Sequence, residues 1–354
     1  MKKTNKKYYD GSKLLSMKDI NGERPEIFIC STNRTGGKTT WFGKYVVNKF
    51  LKRGEKFGLI YRYSYELTNI ADKFFKDIGN LFFKDYVMTS QMKEKTYVEL
   101  YLQHRDDEDS KMLCGYAICI NKADAIKKMS HLFSDISVLL FDEFQPESNT
   151  YLNNEVEKLM SIHTSLARGQ GKQAKYLPII FISNPVTIIN PYYVSLGISK
   201  RLRSDTKFLR GEGFIMEQGY VESASNAQME SAFNRAFKKE SYLQYSAQAI
   251  YLNDSSAFIE RPTGKSRYYC TLKYKGVEYG IREYNELGII YCDDKPDTSF
   301  KSKICVTTED HNINYVMLKN SDYFISMLRY YFERGCFRFK DLKCKEAILT
   351  ALSY

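Results

Sequence analysis

The sequence predicts an α/β protein in which a parallel-sheet domain precedes a smaller α+β domain. Three observations carry that prediction. Apolar runs ending in polar residues alternate with amphipathic segments between residues 26 and 182, as in a parallel sheet with helical connections. Two of the runs, Ser137–Phe141 and Leu177–Ile182, are almost unbroken in apolar character, as expected of strands buried on both faces. After residue 249 the pattern changes to short strands and tight turns, at Arg267–Tyr274, Glu278–Tyr284 and Ile289–Asp293, which predicts an antiparallel meander followed by helices after Tyr315. The expected boundaries are residues 1–205 for the first domain, 206–245 for a linker with a helix at Asn226–Lys239, and 246–354 for the second domain.

Taken in order, residues 1–24 are basic and polar and read as a loosely held arm with one short helix. A strand at Glu26–Ser31 runs into Thr32-Asn33-Arg34-Thr35-Gly36-Gly37-Lys38-Thr39-Thr40 and then into an amphipathic helix ending at Gly54. Strand, glycine-containing loop and helix start form a phosphate cradle. Backbone N–H groups face the anion, Lys38 serves the β- and γ-oxygens, and the Thr39 hydroxyl is the Mg²⁺ ligand. Thr32 stands where the GxxxxGK[ST] pattern has its first glycine. A second strand, Phe57–Tyr63, places Arg62 on the same sheet edge; a helix covers residues 64–80, and short strands fill 81–120 around an acidic hairpin tip at Arg105–Asp109.

The strand Ser137–Phe141 ends in Asp142-Glu143. Asp142 is expected to hold Mg²⁺ through its waters and Glu143 to polarise the water that attacks the γ-phosphate. That pair, in that order, favours a hydrolysing P-loop NTPase over a kinase, with ATP and Mg²⁺ as cofactors; the expected fold is the additional-strand catalytic-Glu type. Asn184, after the next strand, either senses the γ-phosphate or opens an ordinary Asn-Pro turn. Arg168 ends the helix Asn154–Ala167; it either pairs with the helix's last carbonyls or acts as an arginine finger on a neighbouring subunit. Arg34 either reaches phosphate or faces solvent, and His163 falls on its helix's apolar face as packed core.

Composition narrows the class. A hydrophobic content of 43% over 354 residues supports a full core, and a net charge of +11 points to a polyanionic partner such as nucleic acid. The eight cysteines include no CxxC pair and there are only four histidines, which argues against a zinc site and for free thiols in a reducing compartment. No apolar run approaches the length of a membrane span, so no membrane partner is expected.

The order of motifs resembles the genome-encapsidation ATPases of small podophages, the DNA-packaging motors of the Bacillus-phage type. The resemblance rests on Lys52–Phe57 leading to Tyr61-Arg62-Tyr63, on Val138–Phe144, on Ser183–Val186 with Asn190-Pro191-Tyr192, and on Thr307–Asp310. It implies a homo-oligomeric ring, a pentamer, at the portal (connector) of an empty capsid, translocating double-stranded DNA with ATP in the host cytoplasm and in some members with a structural RNA. By the same resemblance Lys38, Glu143 and a trans-acting Arg168 are catalytic, and Thr39 and Asp142 hold the metal. The second domain is implied to be RNase H-like and without nuclease activity, because Asp293, Asp294 and Asp297 cluster on one turn. Two other readings stand beside it: a terminase-like motor with metal-dependent nuclease activity, and a non-hydrolysing scaffold that binds nucleic acid.

Overall fold

The structure is a computed structural model describing residues 8–148, 150–168, 173–188, 190–199, 201–202, 206–236, 257–318, 322–333 and 336–353. The chain divides into two compact units. One comprises Met1–Gln145, Val156–Pro185 and Arg203–Ile250, the other Pro146–Glu155, Val186–Leu202 and Tyr251–Tyr354.

The elements of the first unit, in chain order, are α1 (Ser12–Ser16), β1 (Ile27–Thr32), α2 (Lys38–Arg53), β2 (Lys56–Tyr61), α3 (Ser64–Phe82), β3 (Tyr86–Lys93), β4 (Tyr97–His104), β5 (Met112–Cys119), α4 (Ala123–Lys128), β6 (Ile136–Asp142), α5 (Glu155–Leu166) and β7 (Ile179–Ser183). After α6 (Pro191–Ser195), which belongs to the second unit, come β8 (Phe208–Gly211), β9 (Phe214–Gly219), α7 (Glu222–Glu230) and α8 (Ala232–Ala236). Nine strands form one sheet in the order β3-β4-β5-β2-β6-β7-β1-β9-β8. The six from β5 to β9 are mutually parallel, and β3, β4 and β8 add antiparallel edges. Strand β7 therefore lies between β1 and β6, the inserted strand of the expected nucleotide-hydrolase type.

Side-chain patterning explains why these segments close. Phe42, Val46, Val47 and Phe50 line the buried face of α2, and Gly54 ends the helix in a left-handed cap whose N–H donates to Phe50 O. Each such side chain, fully buried, contributes about 1.5–3 kcal/mol. Helix α3 opens where the Tyr63 N–H donates to the Glu66 carboxylate at 2.6 Å. Strands β6 and β7 are buried on both faces, as their apolar runs required.

Three expectations are corrected. Residues 206–245 were expected to link domains, yet β8 and β9 belong to the first sheet, and β9 pairs in parallel with β1 along its whole length. The expected helix at Asn226–Lys239 begins earlier, as α7, and breaks at Ser231; its last three residues lie outside those described. The N-terminal arm is also not loose from Tyr8 onward. Tyr9 and Leu14 are buried, the Tyr9 N–H donates to Gly36 O at 2.8 Å, and the Tyr9 hydroxyl donates to Glu217 at 2.6 Å. Residues 1–7 lie outside those described.

The second unit holds β10 (Arg267–Tyr274), β11 (Val277–Tyr284), β12 (Ile289–Asp293), β13 (Lys303–Cys305), β14 (Val316–Met317), α9 (Tyr323–Glu333), β15 (Phe337–Phe339) and α10 (Leu342–Ser353). Its sheet order is β14-β13-β10-β11-β12-β15. The predicted meander β10-β11-β12 is antiparallel, and β13 and β15 flank it in parallel with β10 and β12.

Candidate active site

The chemistry-bearing residues of the first unit gather at the C-terminal edge of its parallel strands, where ligands of open α/β sheets bind. Strand β1 ends at Thr32, and the loop from Asn33 to Gly37 leads into α2. Thr35 (φ 59°) and Gly37 (φ 84°) are left-handed and curl the loop, as backbone anion nests require. Trp41 N–H is the first to close a helical bond, to Gly37 O at 2.9 Å. The N–H groups of Lys38, Thr39 and Thr40 are thereby left without helical acceptors at the positive end of a sixteen-residue helix.

The glycine missing at position 32 has a structural counterpart. Thr32 remains a strand residue and is fully buried, paired in register with Gly219 of β9. A Cβ on Gly219 would lie 2.7 Å from Thr32 Cγ2. The space for the threonine methyl is thus supplied across the ladder by a glycine on the neighbouring strand.

Lys38 is buried, its ammonium donating to Asn184 Oδ1 at 2.7 Å and to the carbonyls of Thr32 and Asn33, each at 3.3 Å. Burial pulls its pKa below the usual lysine value. Asn184 follows β7, and its side-chain carbonyl oxygen accepts from Lys38. Across β7, Thr39 Oγ1 donates to Asp142 Oδ1 at 3.2 Å. Loss of solvent pushes the Asp142 carboxyl up to about 6; the Glu143 charge adds to this, and Lys38 and the Thr39 hydroxyl oppose it. A hydroxyl and a carboxylate side by side at the phosphate end are a donor set suited to Mg²⁺, a hard cation bound by few protein oxygens and several waters.

Glu143 is exposed and left-handed (φ 53°). Its conformation is held from the residue after β2: buried Arg62 donates to Glu143 O at 3.3 Å and to Phe144 O at 2.9 Å, while Phe144 N–H donates to Ile182 O at 3.3 Å. Arg62 therefore fixes the backbone of the Asp-Glu turn. The sequence placed it on the right edge without revealing that part.

The remaining expected residues are distributed as follows. Gly36 is buried and Thr35 is exposed in the loop, with Thr35 Oγ1 donating to Arg34 O at 2.7 Å; Arg34 is half-buried. Asn33 was expected among the nucleotide ligands, but its side-chain amide is bonded to the backbone of Val221. Arg168 is exposed, two residues past α5, and Gly169-Gln170-Gly171 lie outside the described residues. The His163 ring is not purely packed core, because Nε2 meets Leu177 O at 2.7 Å. Beside the loop lies an open pocket of about 680 Å³ lined by Tyr8, Lys38, Thr39, Trp41, Lys44 and Phe82 among others.

The acids of the second unit are placed differently. Asp293 is buried and accepts from Arg282 Nη1 at 2.5 Å; Asp294 pairs with Lys340 at 2.5 Å; Asp297 accepts from the Ser299 N–H and hydroxyl at 3.0 and 2.6 Å. Among the described residues no three His, Cys, Asp or Glu side chains are grouped as metal ligands. No described helix is long and apolar enough to cross a membrane.

Over residues 1–352 the sequence matches the model of the podovirus DNA encapsidation protein (Gp16) family. The DNA packaging protein of Bacillus phage phi29 is 25% identical over 309 residues, 86% of each chain. That of Bacillus phage B103 is also 25% identical over 309 residues, covering 86% of this chain and 89% of its own. Two solved structures share the fold. The bacteriophage Phi-29 viral genome packaging motor assembly aligns with TM-score 0.54 at 24% identity over 95% of both chains. The Phi-28 gp11 DNA packaging motor aligns with TM-score 0.56 at 16% identity over 98% of both. The chain belongs to the podovirus DNA encapsidation protein (Gp16) family.

Proposed function

We propose that this DNA encapsidation protein is the ATP-hydrolysing subunit of a motor that drives double-stranded viral DNA into a preformed capsid. The observation that carries the reading is the convergence of Lys38, Thr39 and Asp142 across β7, with Glu143 next in the chain on a turn that Arg62 fixes. Lys38 exchanges its Asn184 and carbonyl partners for the β- and γ-phosphate oxygens, and the free N–H groups at the start of α2 take the rest of the anion's charge. Thr39 and Asp142 would hold Mg²⁺, which when bound neutralises charge between the β- and γ-oxygens. Glu143 accepts a hydrogen bond from the attacking water and aligns it on the γ-phosphorus. Asn184, released from Lys38, is then free to report the γ-phosphate. The aromatic wall of the neighbouring pocket, Tyr8 and Trp41, offers faces for the base.

Arg168 completes the site from a neighbouring copy, which requires a ring, with a pentamer as the proposed count. The ring sits transiently at the capsid portal in the host cytoplasm, and a structural RNA is a further proposed partner. The excess of positive charge supports a grip on DNA phosphates. The RNase H-like second unit acts in this reading as a nucleic-acid- or portal-binding module without nuclease activity, since its three clustered acids are already engaged by Arg282, Lys340 and Ser299.

The test is DNA-stimulated ATP turnover by the wild type, Arg168→Ala, Lys38→Ala and an equimolar mixture of the two variants. Each variant alone is expected to be inactive and the mixture to regain activity, since some interfaces then pair an intact Lys38 with an intact Arg168. Full activity in Arg168→Ala alone would overturn the shared site.

A further inference from the structure

Strands β1 and β9 run side by side from Ile27↔Phe214 to Thr32↔Gly219 and stop together. Beyond that point β1 becomes the phosphate loop, and β9 continues through Tyr220 and Val221 into α7. The ladder does not end with the strands. The fully buried Asn33 side chain takes the place of a further backbone unit: Val221 N–H donates to Asn33 Oδ1 at 2.8 Å, and Asn33 Nδ2 donates to Val221 O at 3.1 Å. Val221 is the N-cap of α7. Its carbonyl also accepts the helix's opening bond, from Ser225 N–H at 3.1 Å.

Helices that start with a capping box use the N3 side chain to satisfy the N-cap N–H. Here N3 is Ala224 and the cap is a valine, so neither can serve. The loop residue Asn33 does so instead. A second contact joins the same two segments: a Cβ on Gly36 would lie 3.0 Å from Val221 Cγ2, so the valine side chain rests against the loop at its glycine. Asn33 O, meanwhile, accepts from Lys38 Nζ at 3.3 Å. One residue thus touches the phosphate-binding lysine through its backbone and the start of α7 through its side chain.

We propose that Asn33 is a positioning residue that couples nucleotide occupancy of the phosphate loop to the first turn of α7. It rests on the nucleotide-site reading above and adds a connection that the reading does not require. When phosphate draws Lys38 off the Thr32 and Asn33 carbonyls and orders the loop, the paired amide carries that ordering to Val221 and to the helix it caps. Coupling of this kind is reciprocal, so loosening α7 weakens nucleotide binding by the factor with which the nucleotide steadies α7.

The experiment is hydrogen–deuterium exchange on the full chain, with and without a non-hydrolysable ATP analogue and Mg²⁺, read separately over residues 33–40 and 221–230. In the wild type both segments are expected to slow, the second by about fivefold or more, the lower end of ordinary coupling between sites. In Asn33→Ala residues 34–40 still slow, since Lys38, Thr39 and the α2 amides are intact, but residues 222–230 no longer respond. Val221→Pro repeats the test from the other side by removing the N–H that Asn33 accepts while leaving the loop sequence untouched. Equal nucleotide-dependent slowing of 222–230 in the wild type and both variants would overturn the coupling. So would slowing of 33–40 alone in the wild type. No slowing at 33–40 in the wild type would instead overturn the nucleotide site on which the coupling rests.

Discussion

Among the described residues, the ends of β6 and β12 present clustered carboxylates, and they have opposite fates. At the end of β6, Asp142 meets a threonine hydroxyl at 3.2 Å, and loss of solvent pushes its pKa up to about 6. Glu143 beside it is exposed, and its backbone carbonyl accepts from Arg62. At the end of β12, Asp293 is locked by Arg282, and Asp294 is held below the ordinary carboxylate range by its bond from Lys340. The difference lies in what the neighbouring strands contribute. Opposite Asp293 the register places Gly280, whose missing side chain lets the Arg282 guanidinium lie flat: a Cβ there would be 2.7 Å from Arg282 Nη1. Around Asp142 the lysine whose charge acts on it, Lys38, is engaged by Asn184 and by loop carbonyls. Acids with a cation of their own build structure, whereas Asp142, whose neighbouring lysine is engaged elsewhere, is the one that the proposed function makes a metal ligand.

The comparison can be broken most severely at Arg282. Arg282→Met leaves the buried Asp293 with only the longer, half-exposed Arg261 contact at 3.8 Å, so it should destabilise the second unit by about 3 kcal/mol in denaturant titration. Adding Asp293→Leu to it should recover most of the loss, because the stranded charge is then gone. The β6 end should respond to pH. Asp142 binds its proton more tightly in the folded, nucleotide-free protein than in the unfolded chain. Stability therefore falls as pH rises from the ordinary carboxylate range through about 6, and Asp142→Asn should flatten that slope in thermal melts. The smallest effect belongs to Asp294. Its partner and it are both well exposed, so Asp294→Asn should cost no more than about 1 kcal/mol and leave DNA unmarked by any change in Mg²⁺-dependent cleavage.

Much of this site is written locally and could be read from the sequence. The phosphate loop, the Asp-Glu strand end and the inserted strand each lie within a few consecutive residues, and their apolar runs set the sheet. Element ends moved by one or two residues because strand bonding continues past the apolar run, as where β1 includes Thr32 and β6 includes Asp142. What stayed hidden depends on distant partners. Strand β8 spans only Phe208–Gly211, too short for periodicity to register, and β9 gains its meaning from β1, far earlier in the chain. The tie from Tyr9 to Glu217 crosses 208 residues, and that from Asn33 to Val221 crosses 188. Arg62 appeared in the sequence only as a basic residue on the right edge, because its targets are carbonyls, which no side-chain pattern reports.

The central claim is that the Asp142-Glu143 strand end powers DNA packaging through ATP hydrolysis. The direct measurement is DNA-stimulated ATP turnover by Glu143→Gln beside its equilibrium nucleotide binding. Loss of a general base should lower kcat by roughly 10²–10⁴-fold, with binding through Lys38 and Thr39 retained. Turnover equal to the wild type's would contradict the account.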